Sequence, residues 1–207
     1  MKHRVVVLIS GSGTNLQAII DAVQAKPSPL PSVALVRVVS NRKDAYGLVR
    51  AEKANIPTQY FPLKPFTQRG ETREQYDAAL ADSIAELEPD LIVLAGWMHI
   101  LSLVFLDRYA NKVINLHPAL PGQFDGAHAI ERAFQAAQEG AINHSGVMVH
   151  HVIPEVDRGS VILQQEVPIL KEDTLEAFET RVHATEHKIL VQAISKVLVG
   201  TISPHAL

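Results

Sequence analysis

The chain contains no cysteine. Disulfides, thiolate metal ligands and thiol nucleophiles are thereby removed together, so any chemistry must rest on other side chains. Nor is there a surplus of positive charge: 19 Lys and Arg stand against 22 Asp and Glu, a net charge of -3, and the basic residues are scattered rather than striped. A nucleic-acid partner needs a basic face, and none is expected here. Long apolar runs are missing as well. None approaches the ~20 residues that span a bilayer, and no charged-then-apolar leader precedes the first strand, so a soluble, cytoplasmic chain without a membrane partner is expected.

What the chain does have is a rhythm of apolar β-branched runs alternating with longer amphipathic stretches. With 207 residues it is long enough for one substantial domain and short for two. Strands are expected at Arg4–Ile9, Ala34–Ser40, Leu91–Ala95, Val113–His117, Gly146–Ile153 and Val161–Val167. Helices are expected at Asn15–Ala25, Tyr46–Ala54, Thr72–Glu88, Ala127–Glu139 and Thr174–Val199. The alternation predicts an α/β fold with a Rossmann-like, mostly parallel sheet flanked by helices. Leu91–Ala95 is continuously apolar, as a strand covered on both faces should be. Phe61–Gly70 has mixed character and reads as a mobile loop. Only the turn Pro154–Gly159 separates the last two strands, which predicts an antiparallel edge pair late in the chain.

Three features carry chemistry. In Val5–Leu16 a strand runs through Ser10-Gly11-Ser12-Gly13 into a helix, an arrangement whose free N–H groups and helix dipole favour a phosphate. A dinucleotide fingerprint would need a third glycine where Leu16 stands, and a triphosphate loop would need a lysine after Gly13. A smaller phosphate ester remains, beside the plainer reading that the glycines serve only a tight turn. Strand alternation puts Asn115 and His117 on one face, two residues apart and just before Pro118. They are either a ligand-facing pair at the strand end, where open α/β sheets bind ligands, or a satisfied buried polar pair. Asp157, on the late turn, is either their carboxylate partner or a residue that satisfies turn backbone.

Taken in order, Ser10–Ile19, Ala95-Gly96-Trp97-Met98-His99-Ile100-Leu101, Asn115-Leu116-His117-Pro118 and Glu155-Val156-Asp157-Arg158-Gly159 resemble the folate-dependent phosphoribosylglycinamide formyltransferases. The resemblance covers essentially the whole chain. It implies a single formyltransferase domain, with a phosphate-substrate half (1–100) and a folate and catalytic half (101–207). The implied co-substrate is 10-formyltetrahydrofolate, without a metal. The implied partners are small molecules, and the oligomeric state stays open between monomer and homodimer.

Catalytic roles fall on Asn115, His117 and Asp157, with Asn115 donating an amide N–H to the oxyanion, His117 protonated beside it and Asp157 favouring the imidazolium. Substrate would be held by Gly13, Thr14, Asn15 and Glu186. Folate would be held by Arg73, Met98, His99, Ile100, Leu101, Asn115, Ile153 and Asp157, with Leu94 and Val149 as apolar walls. Without the resemblance, Arg73 reads as a solvated charge near a helix start.

The chain departs from the family pattern at His99, where an arginine is common, and at Val147-Met148. The segment Leu120–Gly126 also differs from the commoner Leu-Leu-Pro loop. Methionyl-tRNA formyltransferase and formyltetrahydrofolate hydrolase are related enzymes that carry an additional domain, for which no room is expected here.

Two histidine motifs complete the inventory. Glu186 falls inside the apolar stripe of the last helix, which runs through Leu175, Phe178, Val182, Ile189, Ala193 and Val197. His183-Ala184-Thr185-Glu186-His187 also matches an inverted zinc-peptidase pattern, although nothing else suggests a peptidase. His150 and His151 are adjacent on a strand and point to opposite faces, so they cannot chelate as a simple pair. His150 shares a face with Met148 and is expected to approach the catalytic group.

Overall fold

A computed structural model describes residues 2–200. The chain forms two compact units, one running up to Ile114 and the other starting at Asn115.

The first unit is built on β1 (His3–Ile9), β2 (Val33–Ser40), β3 (Thr58–Tyr60) and β4 (Leu91–Leu94). They pair in the order β3-β2-β1-β4, all parallel. Val5 to Ile9 of β1 and Leu91 to Val93 of β4 have no exposed surface. Continuous apolar runs are what a parallel strand covered on both faces requires, and that expectation holds for β4. Helices α1 (Thr14–Gln24), α2 (Tyr46–Lys53), α3 (Lys64–Gln68), α4 (Arg73–Ala85) and α5 (Leu103–Arg108) complete this unit. A reciprocal capping box between Thr72 and Gln75 starts α4, which fixes its first turn. That helix stops short of the expected Glu88, whose φ is 42° and which precedes Pro89, a position that disfavours helix. Phe61–Gly70 is not an open loop: it contains α3, with Pro65 in the first turn.

Strand β5 (Val113–His117) carries the chain into the second unit, which adds α6 (Ala129–Gln138), β6 (His144–His151), β7 (Val161–Pro168) and α7 (Leu175–Gly200). The expected antiparallel pair is β6 with β7, in one register from His144↔Pro168 to Val149↔Leu163 and shifted by a bulge before His150↔Val161. Thr174 Oγ1 accepts the Ala177 N–H at 3.2 Å, capping α7. An Arg181–Asp173 fork at 2.7 and 2.8 Å ties the start of α7 to the loop before it. Phe178, Val182, Glu186, Ile189 and Ala193 of the expected stripe are buried and face inward, whereas Leu175 and Val197 at its ends are partly exposed.

Candidate active site

Four polar side chains converge in the second unit. β5 borders β6, and Asn115 Nδ2 lies 3.3 Å from His150 Nε2 and 3.3 Å from Asp157 Oδ1. His117 Nδ1 lies 3.4 Å from Asp157 Oδ2, and His150 Nε2 lies 3.5 Å from Asp157 Oδ1. The side chains of His117, His150 and Asp157 are only 5%, 2% and 7% exposed. His150 therefore reaches the group that its strand face pointed to. Asp157 does not merely satisfy its own turn: its Oδ2 accepts the Gly126 N–H at 2.8 Å.

Hydrogen positions follow from the acceptors. His150 Nδ1 is 2.8 Å from the His151 carbonyl oxygen, which can only accept, so Nδ1 carries the proton and Nε2 accepts from Asn115. Turning the Asn115 amide over would set its oxygen against the Asp157 carboxylate, so the amide nitrogen belongs where it stands. Both amide hydrogens are thus aimed at protein acceptors at 3.3 Å, and a donation to substrate has to displace one of them. At His117, Nδ1 stands 3.4 Å from the Asp157 carboxylate, which favours the proton on that nitrogen. Its Nε2 is buried and has no hydrogen-bond partner among the described residues. An imidazole in this state offers a lone pair at Nε2.

Burial of the ring pushes the His117 pKa below its ordinary value and outweighs Asp157, which pulls it up. His150 adds to the fall, while the Phe124 carbonyl and Asp125 oppose it. The imidazole is therefore neutral at rest. For Asp157, burial acts upward but loses to its close contact with His150, the Gly126 N–H hydrogen bond and the field of the neighbouring imidazoles, so its carboxyl titrates below the usual range and stays ionised.

The glycine loop belongs to the first unit. Gly13 has a φ of 73°, and a Cβ there would stand 2.5 Å from Gly47 Cα. Close contact with the first turn of α2 alone accounts for this glycine. Gly11 differs, since a Cβ would meet nothing within 4 Å. No side chain caps α1 and its first turn holds no acid, which leaves the positive end of the helix dipole for an anion. Arg50 braces the loop from α2, with Nε to the Ser12 carbonyl at 2.8 Å and Nη1 to Gln17 Oε1 at 3.2 Å.

Arg73 is not a solvated charge. Its Nε donates to Asp77 Oδ1 at 3.1 Å and its Nη2 to the Ile100 carbonyl at 2.8 Å. Asp77 is fully buried and also accepts the Ser102 N–H at 2.8 Å. Together they clasp the Met98–Leu101 segment from α4. Met98 and Ile100 are 67% and 64% exposed, whereas Leu101 is buried and the His99 ring stacks edge-on between Tyr76 and Trp97. Met98 and Ile100 thus present exposed side chains, the His99 ring is half-buried, and Leu101 can contribute only backbone. Leu94 is nearly enclosed, and Ile153 is partly exposed. Val149 is corrected: it is fully enclosed and lies on the β6 face opposite His150, so it cannot serve as a pterin wall in this conformation.

On α7, His183 Nδ1 is 2.8 Å from Glu186 Oε2, so a protein partner exists for the inward carboxylate. Among the described residues no group of three or more His, Asp and Glu is arranged to hold a metal ion. Sequence reasoning missed Asp125, Gly126 and Arg158. The unusual Leu120–Gly126 segment was the available signal, but nothing in its composition said that it would reach Asp157.

Residues 3–194 match the formyl transferase family. The chain is 55% identical to phosphoribosylglycinamide formyltransferase of Schizosaccharomyces pombe, across 96% of this chain and 98% of that one. It is 45% identical to the Saccharomyces cerevisiae protein of the same name, across 94% and 97%. Among solved structures, glycinamide ribonucleotide transformylase 1 from Symbiobacterium toebii superposes with a TM-score of 0.87 at 36% identity, covering 98% of this chain and 92% of that chain. The likeness in motifs, sequence and fold spans nearly the whole length, and the chain belongs to the formyl transferase family.

Proposed function

We propose that this protein transfers the formyl group of 10-formyltetrahydrofolate to the amine of 5-phosphoribosylglycinamide, giving the N-formyl product and tetrahydrofolate in purine biosynthesis. The observation that carries the reading is the convergence of Asn115, His117 and Asp157, with a buried, unsatisfied Nε2 on a neutral imidazole.

The donor supplies the formyl carbon, and in the exchange the attacking amine loses one proton while the departing nitrogen gains one. His117 suits that proton traffic. Its Nε2 takes the proton from the amine and returns it to the leaving nitrogen, and Asp157, 3.4 Å from Nδ1, stabilises the imidazolium in between. Asn115 exchanges one of its 3.3 Å contacts to donate to the formyl oxygen as negative charge develops there. Gly13, Thr14 and Asn15 at the start of α1 serve the phosphate, and Glu186 serves the ribose hydroxyls. Arg73, Met98, His99, Ile100, Leu101 and Ile153, with Asn115 and Asp157, hold the folate. The exposed Met98 and Ile100 and the internally clasped loop fit a planar apolar ligand. On this reading the partners are small molecules and the site of action is the cytoplasm.

Purified protein given 10-formyltetrahydrofolate and glycinamide ribonucleotide is expected to form one N-formyl product per folate released. Folate release at the same rate without the acceptor would instead favour a hydrolase.

A further inference from the structure

Asp157 occupies the left-handed region, with a φ of 56°, which Asp enters more readily than most non-glycine residues but still at a cost in backbone energy. Behind it the chain is fixed. A Cβ on Gly159 would stand 1.7 Å from the His151 carbonyl oxygen, and His151 donates its N–H to the Ser160 carbonyl at 3.0 Å. Ahead of it Ile153 and Val156 are exposed. The Arg158 N–H closes the turn on the Glu155 carbonyl at 3.3 Å, and besides Asn115, His117 and His150 the grip on the carboxylate comes from the segment between β5 and α6.

That segment is tightly coiled, with positive φ at Gly122, Phe124, Gly126 and His128. Arg132 of α6 ties it down, with Nη1 to the Asp125 carbonyl at 2.8 Å and its guanidinium 5.7 Å from the Phe124 ring centre. Two adjacent rungs then join it to the Asp157 loop. Gly126 N–H meets Asp157 Oδ2 at 2.8 Å, and Asp125 Oδ2 meets Arg158 Nη2 at 2.5 Å. The other Asp125 oxygen, Oδ1, is buried without a hydrogen-bond partner among the described residues, so Arg158 is what offsets that charge.

We propose that Arg158, through its ion pair with Asp125, is a positioning residue that clamps the segment 120–128 onto the Asp157 loop and so keeps the Asp157 carboxylate on Asn115, His117 and His150. An exposed ion pair ordinarily contributes little, and Arg158 is 55% exposed. Its leverage here comes from position, since each end of the pair is covalently next to an end of the Gly126–Asp157 hydrogen bond. The proposal rests on the reading of Asp157 as the group that stabilises protonated His117.

The test uses Arg158→Met, which keeps the aliphatic stem, Arg158→Lys, which keeps the charge, and Asp125→Asn. Each is read by steady-state kinetics and by an NMR titration of the His117 ring. Arg158→Met should lower kcat by up to about 10²-fold, the scale expected when a reacting group is misplaced, with KM for the phosphorylated acceptor nearly unchanged and KM for the folate, which Asp157 also holds, raised. Its His117 midpoint should move down, because the carboxylate that raises it has swung away. Arg158→Lys should restore both, and Asp125→Asn should lower kcat as Arg158→Met does. The charged and titratable neighbours of His117 are Asp157, His150 and Asp125, so the direction discriminates: were the pair only screening charge, freeing Asp125 would move the midpoint up. A midpoint that rises or stays in Arg158→Met, or a kcat within twofold of wild type, overturns the clamp. The titration reads the clamp even if the wild-type protein forms no N-formyl product, an outcome that would instead count against the assigned reaction.

Discussion

His117 Nδ1 lies 3.4 Å from the Asp157 carboxylate, yet burial of the ring holds its pKa below the ordinary 6.5. Neutral at rest, the ring presents a basic Nε2 rather than the charged donor that the motif suggests. Activity should therefore fall as pH drops through a midpoint below 6.5, where Nε2 takes up a proton. His117→Asn should abolish that limb and cost ~10²–10⁴-fold in kcat, the range for a general acid–base group. A pH–rate profile with its acid limb above 6.5 would contradict a neutral resting ring. The same shift has a stability counterpart. Between the folded midpoint and 6.5 the unfolded chain binds more protons, so stability falls as pH falls through that window.

His183 carries the opposite sign. Its hydrogen bond to Glu186 raises its pKa above 6.5 despite burial, so its contribution to stability is fully present below 6.5 and is lost as pH rises through the higher folded midpoint. His183→Gln should lower Tm at pH 6 and have much less effect at pH 9. Equal Tm differences at the two pH values would show that the 2.8 Å contact does not titrate.

The strands and the long helices were legible because each buries a regular face: β4 as a continuous run, α7 as a stripe interrupted by Glu186. Elements too short to show a period were not. β3 has three residues, α3 five and α5 six, and Leu103-Val104-Phe105-Leu106 in α5 contains no alternation to separate helix from strand. At the site, alternation brought Asn115 and His117 to one face and placed His150 toward them. The distance from Asp157 to either could not be read locally, because it depends on how the loop after β6 returns. The state of His117 was illegible for a similar reason. Asp157 is visible as a motif, whereas the burial that overrides it belongs to the folded chain.

Gly13 and Gly11 separate two meanings of a glycine loop. At Gly13 any side chain meets both a φ of 73° and the Gly47 backbone at 2.5 Å, so Gly13→Val should cost about 1–3 kcal/mol from backbone strain alone and more from the clash. Thermal unfolding should show it before kinetics does. At Gly11 a Cβ meets no protein atom within 4 Å, and Gly11→Ala should leave Tm within about 2 °C. If the loop holds the substrate phosphate, the added methyl should raise KM for the phosphorylated acceptor and spare KM for the folate. An unchanged acceptor KM in Gly11→Ala would leave the loop as a tight turn only.

Asp77 offers the sharpest test of how the Met98–Leu101 segment is held. Fully buried, it accepts Arg73 Nε at 3.1 Å through one oxygen and the Ser102 N–H at 2.8 Å through the other, and Arg73 reaches on to the Ile100 carbonyl at 2.8 Å. In Asp77→Asn one of those oxygens becomes an NH₂ that faces a donor. A buried donor left without an acceptor costs about 2 kcal/mol, a Tm fall of roughly 4–8 °C for a chain of this size. Arg73→Lys keeps a charge but has a compact ammonium in place of the planar fork, so it cannot span Asp77 and Ile100 as the guanidinium does. Both variants should loosen Met98–Leu101 and raise KM for 10-formyltetrahydrofolate, with the acceptor KM unchanged. A Tm drop without any change in folate KM would make Asp77 and Arg73 supports of α4 and α5 alone, and would remove Arg73 from the folate-binding set.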